Sequence, residues 1–82
     1  MRLDKYLKVS RLIKRRTVAQ SACEGGLITV NGKVQKSAYQ VKPGDEIEIA
    51  FGRQPLFVRV LLVEDSTKKA DAAGMYEVVE RP

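Results

Sequence analysis

The sequence predicts an α+β domain in which two packed N-terminal helices precede a small antiparallel sheet of four to five short strands. Two observations carry this prediction. Apolar residues recur at helical spacing up to about residue 24, and from residue 27 onward they form short runs separated by turn dipeptides. The 82 residues are the length of one small domain. We divide it into a motif core over 1–51 and C-terminal strands with a short helical turn over 52–82.

The first helix is predicted over about residues 3–10. Its apolar residues recur at i, i+3 and i+4 and mark a buried face, whereas basic residues fall on the opposite face at about 100° per residue. The buried set is Leu3, Tyr6 and Leu7, and the exposed set is Arg2, Lys5 and Lys8. Asp4 lies in the first turn, where a carboxylate complements the helix dipole and can pair with Lys8 four residues later, so we predict a structural role for Asp4.

The second helix is predicted to begin at Thr17, which with Gln20 matches the capping-box pattern, and to run to about Glu24. Gly25-Gly26 ends it, because glycine tolerates the left-handed conformation that follows a helix. Small residues form the predicted buried stripe and permit close helix packing. These residues are Val18, Ala19, Ala22 and Cys23.

The strands are predicted from short apolar runs. They cover 27–30, 33–35, 46–51, 56–63 and 75–79. Asn31-Gly32 is the preferred dipeptide of a type I′ hairpin, and Pro43-Gly44 marks a further turn. Between the last two strands, Ser66 or Thr67 is expected to cap a helical turn that Gly74 stops.

Charge is distributed unevenly along the chain. The net charge is +5, but residues 1–42 carry ten Lys/Arg against two acids, whereas residues 43–82 carry five against eight. An ordered cationic region is typical of a protein that holds a polyanion, and nucleic acid is the first candidate. The alternative, that basic residues only keep the protein soluble, explains the net charge and not its segregation.

The composition argues against catalysis. Histidine is absent, the single Cys23 has no imidazole to pair with, and no Cys/His cluster or phosphate-loop spacing occurs. We treat Asp45, Glu46 and Glu48 as ordinary surface charge. We therefore expect no enzyme activity, no cofactor and no metal.

The lone cysteine excludes an internal disulfide, which fits a reducing, cytoplasmic setting. No apolar run approaches the roughly 20 residues of a membrane span. A basic helix lying on an anionic membrane surface remains a weaker alternative.

The candidate binding residues are the cations around the two helices, which we call the basic surface. It comprises Arg2, Lys5, Lys8, Arg11, Lys14, Arg15 and Arg16. Arg15 and Arg16 precede the second helix at its positive end, where cations cost about 0.3–1 kcal/mol. Free N–H groups at a helix start add a phosphate cradle.

Too few acids lie nearby in the sequence to pair with these cations. We therefore expect replacement of Arg16 or Arg2 by alanine to weaken binding and to leave the melting temperature nearly unchanged. Lys33, beside the hairpin turn and followed by Lys36, is a second and weaker candidate. With three Tyr, two Phe and no Trp, recognition of folded RNA by backbone and shape is favoured over base stacking.

These residues together resemble the RNA-binding domain named after ribosomal protein S4, also called the alpha-L RNA-binding motif. The pattern is Arg2-Leu3-Asp4-Lys5, Leu7, Arg11, Lys14, Arg16, Ala19, Gly25-Gly26, Val30-Asn31-Gly32-Lys33 and Pro43-Gly44-Asp45. Further matches over 8–16, 42–46 and 67–69 make the chain similar to the small bacterial factors of ribosome-associated quality control, which are relatives of the ribosome-associated heat-shock protein.

The resemblance implies binding to the large ribosomal subunit, with contacts to ribosomal RNA and peptidyl-tRNA. It also implies a partner protein that recruits alanyl-tRNA, so that an alanine tail is added to the stalled chain. We expect a monomer. The family's RNA-contacting pattern falls on Arg2, Lys5, Arg11, Lys14 and Arg16, and charge geometry adds Lys8 and Arg15.

Three alternatives remain open from the sequence. One is a general heat-shock-type factor that binds ribosomal RNA and recycles blocked large subunits. Another is the RNA-binding module of an RNA-modification system, although the chain is too short to hold such a catalytic domain. The third is a DNA binder that uses the second helix, which offers few side chains able to read base edges.

Overall fold

The structure is a computed structural model that describes residues 1–50, 54–64 and 73–80. Two helices precede a five-stranded antiparallel sheet with strand order β2-β1-β3-β4-β5. The elements are α1 (Leu3–Val9), α2 (Arg16–Glu24), β1 (Ile28–Val30), β2 (Lys33–Val34), β3 (Glu46–Ile49), β4 (Leu56–Val60), a 3₁₀ turn (Ala73–Met75) and β5 (Tyr76–Val78). The predicted α+β fold is confirmed.

The core lies between the helices and one face of the sheet. Alternation along β3 buries Ile47 and Ile49 and exposes Glu46, as expected for a sheet with one solvated face. Tyr6 is fully buried, and its hydroxyl donates to the carbonyl of Met75 at 2.7 Å. This bond ties α1 to the 3₁₀ turn before β5, so the last strand is anchored to the first helix.

The two helices pack through small residues, as predicted. Ala19, Ala22 and Cys23 are buried, whereas Val18, which was also predicted to be buried, is only half-buried. Burial raises the pKa of the Cys23 thiol to about 11. The thiol therefore stays protonated at neutral pH and behaves as a small core group, which confirms its predicted structural role.

The predicted capping box at Thr17 is wrong. Helix α2 begins one residue earlier at Arg16, and its N-cap is Arg15, whose backbone is extended and whose side chain makes no capping hydrogen bond. Thr17 cannot cap the helix because it already lies inside the first turn. The other end agrees with prediction, since α2 stops at Glu24 and Gly26 adopts a left-handed φ of 79°.

The hairpin at Asn31-Gly32 is confirmed, because both residues have positive φ, 53° and 85°, as a type I′ turn requires. The long strand expected over 56–63 is shorter. Pairing with β5 ends at Val60, and the amides of Leu61 and Leu62 both donate to the carbonyl of Met75 instead.

The helical turn before the last strand differs from prediction. Ser66 and Thr67 lie outside the described residues. Gly74 is part of the 3₁₀ turn rather than the residue that stops it. In the part of the chain that the structure describes, no helix has the length and apolar character needed to cross a membrane.

Candidate nucleic-acid interface

The basic surface is built from the ends of both helices and the connection between them. Arg2 is the N-cap of α1, Lys5 and Lys8 lie on that helix, and Arg15 and Arg16 open α2. The remaining two members, Arg11 and Lys14, lie in the connection. All seven are exposed except Lys5, which is half-buried. The cations therefore lie on the two helices, at their N-caps or in the short connection between them.

A buried carboxylate joins two members of this surface. Asp4 Oδ1 accepts from Arg2 Nε at 3.1 Å, and Asp4 Oδ2 accepts from Arg16 Nε at 3.3 Å. The Asp4 side chain is only 2% exposed, whereas those of Arg2 and Arg16 are 43% and 49% exposed. The two guanidinium groups thus lie at the surface and share one buried anion beneath them.

This arrangement corrects two predictions about the cations. Asp4 pairs with Arg2 and Arg16 and not with Lys8, and Arg16 does have an acidic partner. The partner lies 12 residues away because the connection returns the start of α2 to the first turn of α1. Asp4 also supplies the negative charge that the first turn of α2 lacks.

Burial alone would raise the pKa of Asp4. The hydrogen bonds from Arg2, Arg16 and the Lys5 amide outweigh this effect and hold the pKa below its ordinary value. Asp4 is therefore ionised at neutral pH, which keeps both arginines paired. If one arginine is removed, the carboxylate of Asp4 still pairs with the other. Removing both would leave a buried negative charge without a cation.

Arg11 has an unusual backbone conformation. Its φ is 65°, in the left-handed region, at the position that follows the C-cap Ser10. Glycine is the usual residue there, and a side chain costs roughly 1–2 kcal/mol. Strain of this kind concentrates at functional sites. Arg11 thus has an exposed side chain at a position where glycine would be unstrained. This supports the predicted role of Arg11 in binding.

The start of α2 combines free backbone donors with apolar and basic side chains. No side chain caps its first turn, so no capping group occupies the N–H groups there. A shallow groove of about 360 Å³ adjoins this end. The groove is lined by Leu12, Ile13, Lys14, Arg15 and Val18. It offers aliphatic surface for a sugar edge beside cations for a phosphate.

The structure does not join Lys33 to the basic surface. Lys33 begins the edge strand β2 and is exposed, so it lies on the sheet and on neither helix. Lys36 has a structural contact, since its Nζ donates to the carbonyl of Glu24 at 3.2 Å. Lys33 therefore stays a separate, predicted contact.

Sequence reasoning missed Asp45. It was expected to be surface charge, yet it is only 6% exposed. Its carboxylate accepts from Asn31 Nδ2 at 3.1 Å, Tyr39 Oη at 2.9 Å and the Lys42 amide at 3.0 Å. Asp45 thereby ties the Pro-Gly turn to the hairpin. One sequence feature could have indicated this role, because an aspartate beside a turn commonly accepts hydrogen bonds from nearby backbone amides.

The model of the S4 domain matches residues 1–47, which include the whole basic surface and the hairpin. The chain belongs to the S4-domain family. Its relatives within the family include the RQC P-site tRNA stabilizing factor of Streptococcus pneumoniae, 60% identical over 79 residues that cover 96% of this chain and 90% of that one. The factor of the same name from Bacillus subtilis is 50% identical over 98% of this chain and 93% of that one.

A solved structure agrees with this S4-domain assignment. Heat shock protein 15 of Vibrio cholerae, described as trimeric, superposes with a TM-score of 0.90 at 28% identity and covers 96% of this chain and 81% of that chain. The predicted resemblance to small ribosome-associated quality-control factors and to their heat-shock relatives is therefore confirmed.

Proposed function

We propose that this chain is a non-enzymatic RNA-binding factor of ribosome-associated quality control, which binds the RNA of the large ribosomal subunit and the peptidyl-tRNA in its P site. The observation that carries the proposal is the 60% identity to a P-site tRNA stabilizing factor over nearly the full length of both chains. The basic surface is the part of the molecule suited to this role.

The geometry supports recognition of the phosphate backbone. Arginine grips two phosphate oxygens with a planar fork, and four of the seven cations are arginines. They come from the two helices and the connection between them, and α2 buries the small residues Ala19, Ala22 and Cys23. A fixed array of cations suits the fixed phosphate spacing of folded RNA, whose bases are largely hidden in paired regions.

The family resemblance supports the finer parts of the proposal. On this proposal the chain acts as a monomer in the cytoplasm, beside a partner protein that recruits alanyl-tRNA. It supports the addition of an alanine tail to the stalled nascent chain. Lys33, on β2, is proposed as a secondary RNA contact. By holding the peptidyl-tRNA in the P site, the protein would keep the acceptor end in place for each addition.

The second candidate function is that of a heat-shock-type factor acting on blocked large subunits. The heat shock protein 15 homolog of Aeromonas salmonicida is 37% identical over 98% of this chain, which spans only 61% of that relative. Higher identity and coverage therefore favour the P-site tRNA stabilizing factors.

The test is the lifetime of peptidyl-tRNA on purified large ribosomal subunits. Subunits that carry labelled peptidyl-tRNA in the P site are diluted with and without the protein, and the retained label is followed over time. We expect the protein to lengthen the lifetime of the bound tRNA. Arg15→Ala should weaken binding of the protein to the subunits about threefold or more, since it removes one phosphate contact.

Arg59→Ala is the matched control. This substitution removes the same charge as Arg15→Ala, but Arg59 lies on the outer face of the sheet and pairs with Glu46 and Glu77. Its replacement should leave the tRNA lifetime unchanged. Subunit binding with no effect on tRNA lifetime would favour the heat-shock-type function, and equal losses from Arg15→Ala and Arg59→Ala would contradict the proposed surface.

A further inference from the structure

For a surface that binds RNA, the position of Asp4 is not explained by the number of positive charges. It places a carboxylate directly beneath two cations of the surface proposed to bind RNA, where it opposes the approach of a polyanion. Its side chain is 2% exposed, so solvation does not stabilise it. A surface that depended only on the number of positive charges would bind RNA more tightly without Asp4.

The contacts of Asp4 are selective for one atom of each arginine. Both Arg2 and Arg16 donate through Nε, the nitrogen nearest to the main chain. Among the described residues, the outer Nη groups of the two arginines make no hydrogen bond to the carboxylate. Arg2 Nη2 lies 3.5 Å from Ser37 Oγ, and within the described residues the Nη groups of Arg16 have no hydrogen-bond partner.

The carboxylate is itself fixed in position. Its Oδ1 also accepts from the amide of Lys5 at 2.9 Å, so a main-chain donor holds it against α1. Ser37, which contacts Arg2, is held in turn by Glu24, whose Oε2 accepts from the Ser37 amide at 3.0 Å and from its hydroxyl at 2.9 Å. The two arginines thus rest on side chains that are ordered by other bonds.

We infer that Asp4 is a positioning residue for RNA binding, which orients the guanidinium groups of Arg2 and Arg16 toward phosphate oxygens before the RNA arrives. The inference rests on the proposed function. Immobilising a flexible side chain on binding costs free energy, so two arginines ordered in advance bind more tightly than two free ones. The gain exceeds the loss from one buried negative charge.

The decisive variant is Asp4→Asn, which keeps the shape of the side chain and removes its charge. Charge alone predicts tighter RNA binding, because the net charge rises by one. Positioning predicts binding about three- to tenfold weaker. Glu48→Gln is the matched control, since it makes the same charge change on the other side of the sheet. Affinities are measured with purified large ribosomal subunits at fixed salt, at a temperature where each variant is folded.

A double-mutant cycle separates positioning from a merely structural role. In the Asp4→Asn background, Arg16→Ala should cost clearly less affinity than it does in the wild type, because Arg16 is no longer oriented. Among the described residues Arg15 makes no hydrogen bond or ion pair with Asp4, so Arg15→Ala should cost the same in both backgrounds. If Arg16→Ala and Asp4→Asn have additive effects on affinity, the inference is overturned.

A second variant keeps the inference testable if Asp4→Asn does not fold. Arg16→Lys retains the charge but lacks the Nε–H group that bonds Asp4. It should weaken subunit binding at least threefold, and Arg15→Lys should do so much less. Failure of the wild type to bind subunits would overturn the proposed function. Wild-type binding with equal or tighter binding by Asp4→Asn would overturn this inference alone.

Discussion

Arg11 is the residue at which the stability of the fold and the proposed binding role conflict most directly. Its left-handed backbone, φ 65°, suits glycine, yet the exposed side chain belongs to the basic surface. We expect Arg11→Gly and Arg11→Ala to weaken binding to large subunits equally, because both remove the guanidinium group. Only the glycine variant relieves the strain, so it should be about 1 kcal/mol more stable than the alanine variant.

Thermal unfolding of the two Arg11 variants checks this difference. For a domain of this size, about 1 kcal/mol corresponds to a melting temperature roughly 4–8 °C higher for Arg11→Gly than for Arg11→Ala. Equal melting temperatures would show that the left-handed conformation costs nothing here. Binding retained by Arg11→Gly and lost by Arg11→Ala would show that the backbone, and not the charge, matters.

At the residue scale, the sequence predicted that Lys8 is exposed but did not predict which acids pair with the arginines. Helical spacing assigned Lys8 to the exposed face of α1, and the structure agrees. The bond between Arg16 and Asp4 was missed because it depends on how two helices meet. Asp45 was missed for a similar reason, since two of its donors, Asn31 and Tyr39, come from other segments of the chain.

At the element scale, the close contact of α1 and α2 depends on small side chains. Ala19 is a fully buried residue of α2, whereas its neighbour Gln20 is exposed. We expect Ala19→Leu to destabilise the fold by about 1–3 kcal/mol, because the added carbons force the packed helices apart. Denaturation in urea measures the loss as a lower midpoint at an unchanged slope.

Gln20→Leu is the control for Ala19→Leu, because it places the same side chain on the solvent face of the same helix. Its effect should stay within about 0.5 kcal/mol. A similar loss in both variants would mean that helix propensity or solubility, and not packing, determines the result.

The elements were predictable where one local signal determined them. The Asn31-Gly32 hairpin and the end of α2 follow from glycine and asparagine tolerating positive φ. The start of α2 was misplaced because the capping-box pattern at Thr17 indicated a later start. The structure instead has Arg15 as the N-cap and begins the helix at Arg16. Strand β4 ended early because Met75, distant in sequence, accepts hydrogen bonds from the residues that follow it.

At the scale of the whole molecule, the basic surface and the main group of exposed carboxylates lie on different faces. The basic surface is on the helices, whereas Glu46, Glu48 and Glu77 project from the outer face of the sheet around Arg59. The molecule measures 28 × 27 × 23 Å. At physiological ionic strength the Debye length is about 8 Å, so charges on the outer sheet face are largely screened from an RNA bound at the helices.

This separation predicts that the place of a charge matters more than the net charge. Replacing Glu46, Glu48 and Glu77 together by Gln raises the net charge by three, and we expect it to change subunit affinity less than twofold at physiological salt. Replacing Lys14 and Arg15 together by Ala lowers the net charge by only two but removes two phosphate contacts, so the affinity should fall tenfold or more. Titrations of both variants at several salt concentrations test this.

The salt dependence provides the sharper comparison between these two variants. Loss of two phosphate contacts should reduce the slope of log affinity against log salt by about 1.4–1.8, because fewer counterions are released on binding. The triple Gln variant should keep the wild-type slope, since no phosphate contact changes. If the triple variant instead binds ten times more tightly with a steeper slope, then net charge drives the association and the ordered basic surface has no special role.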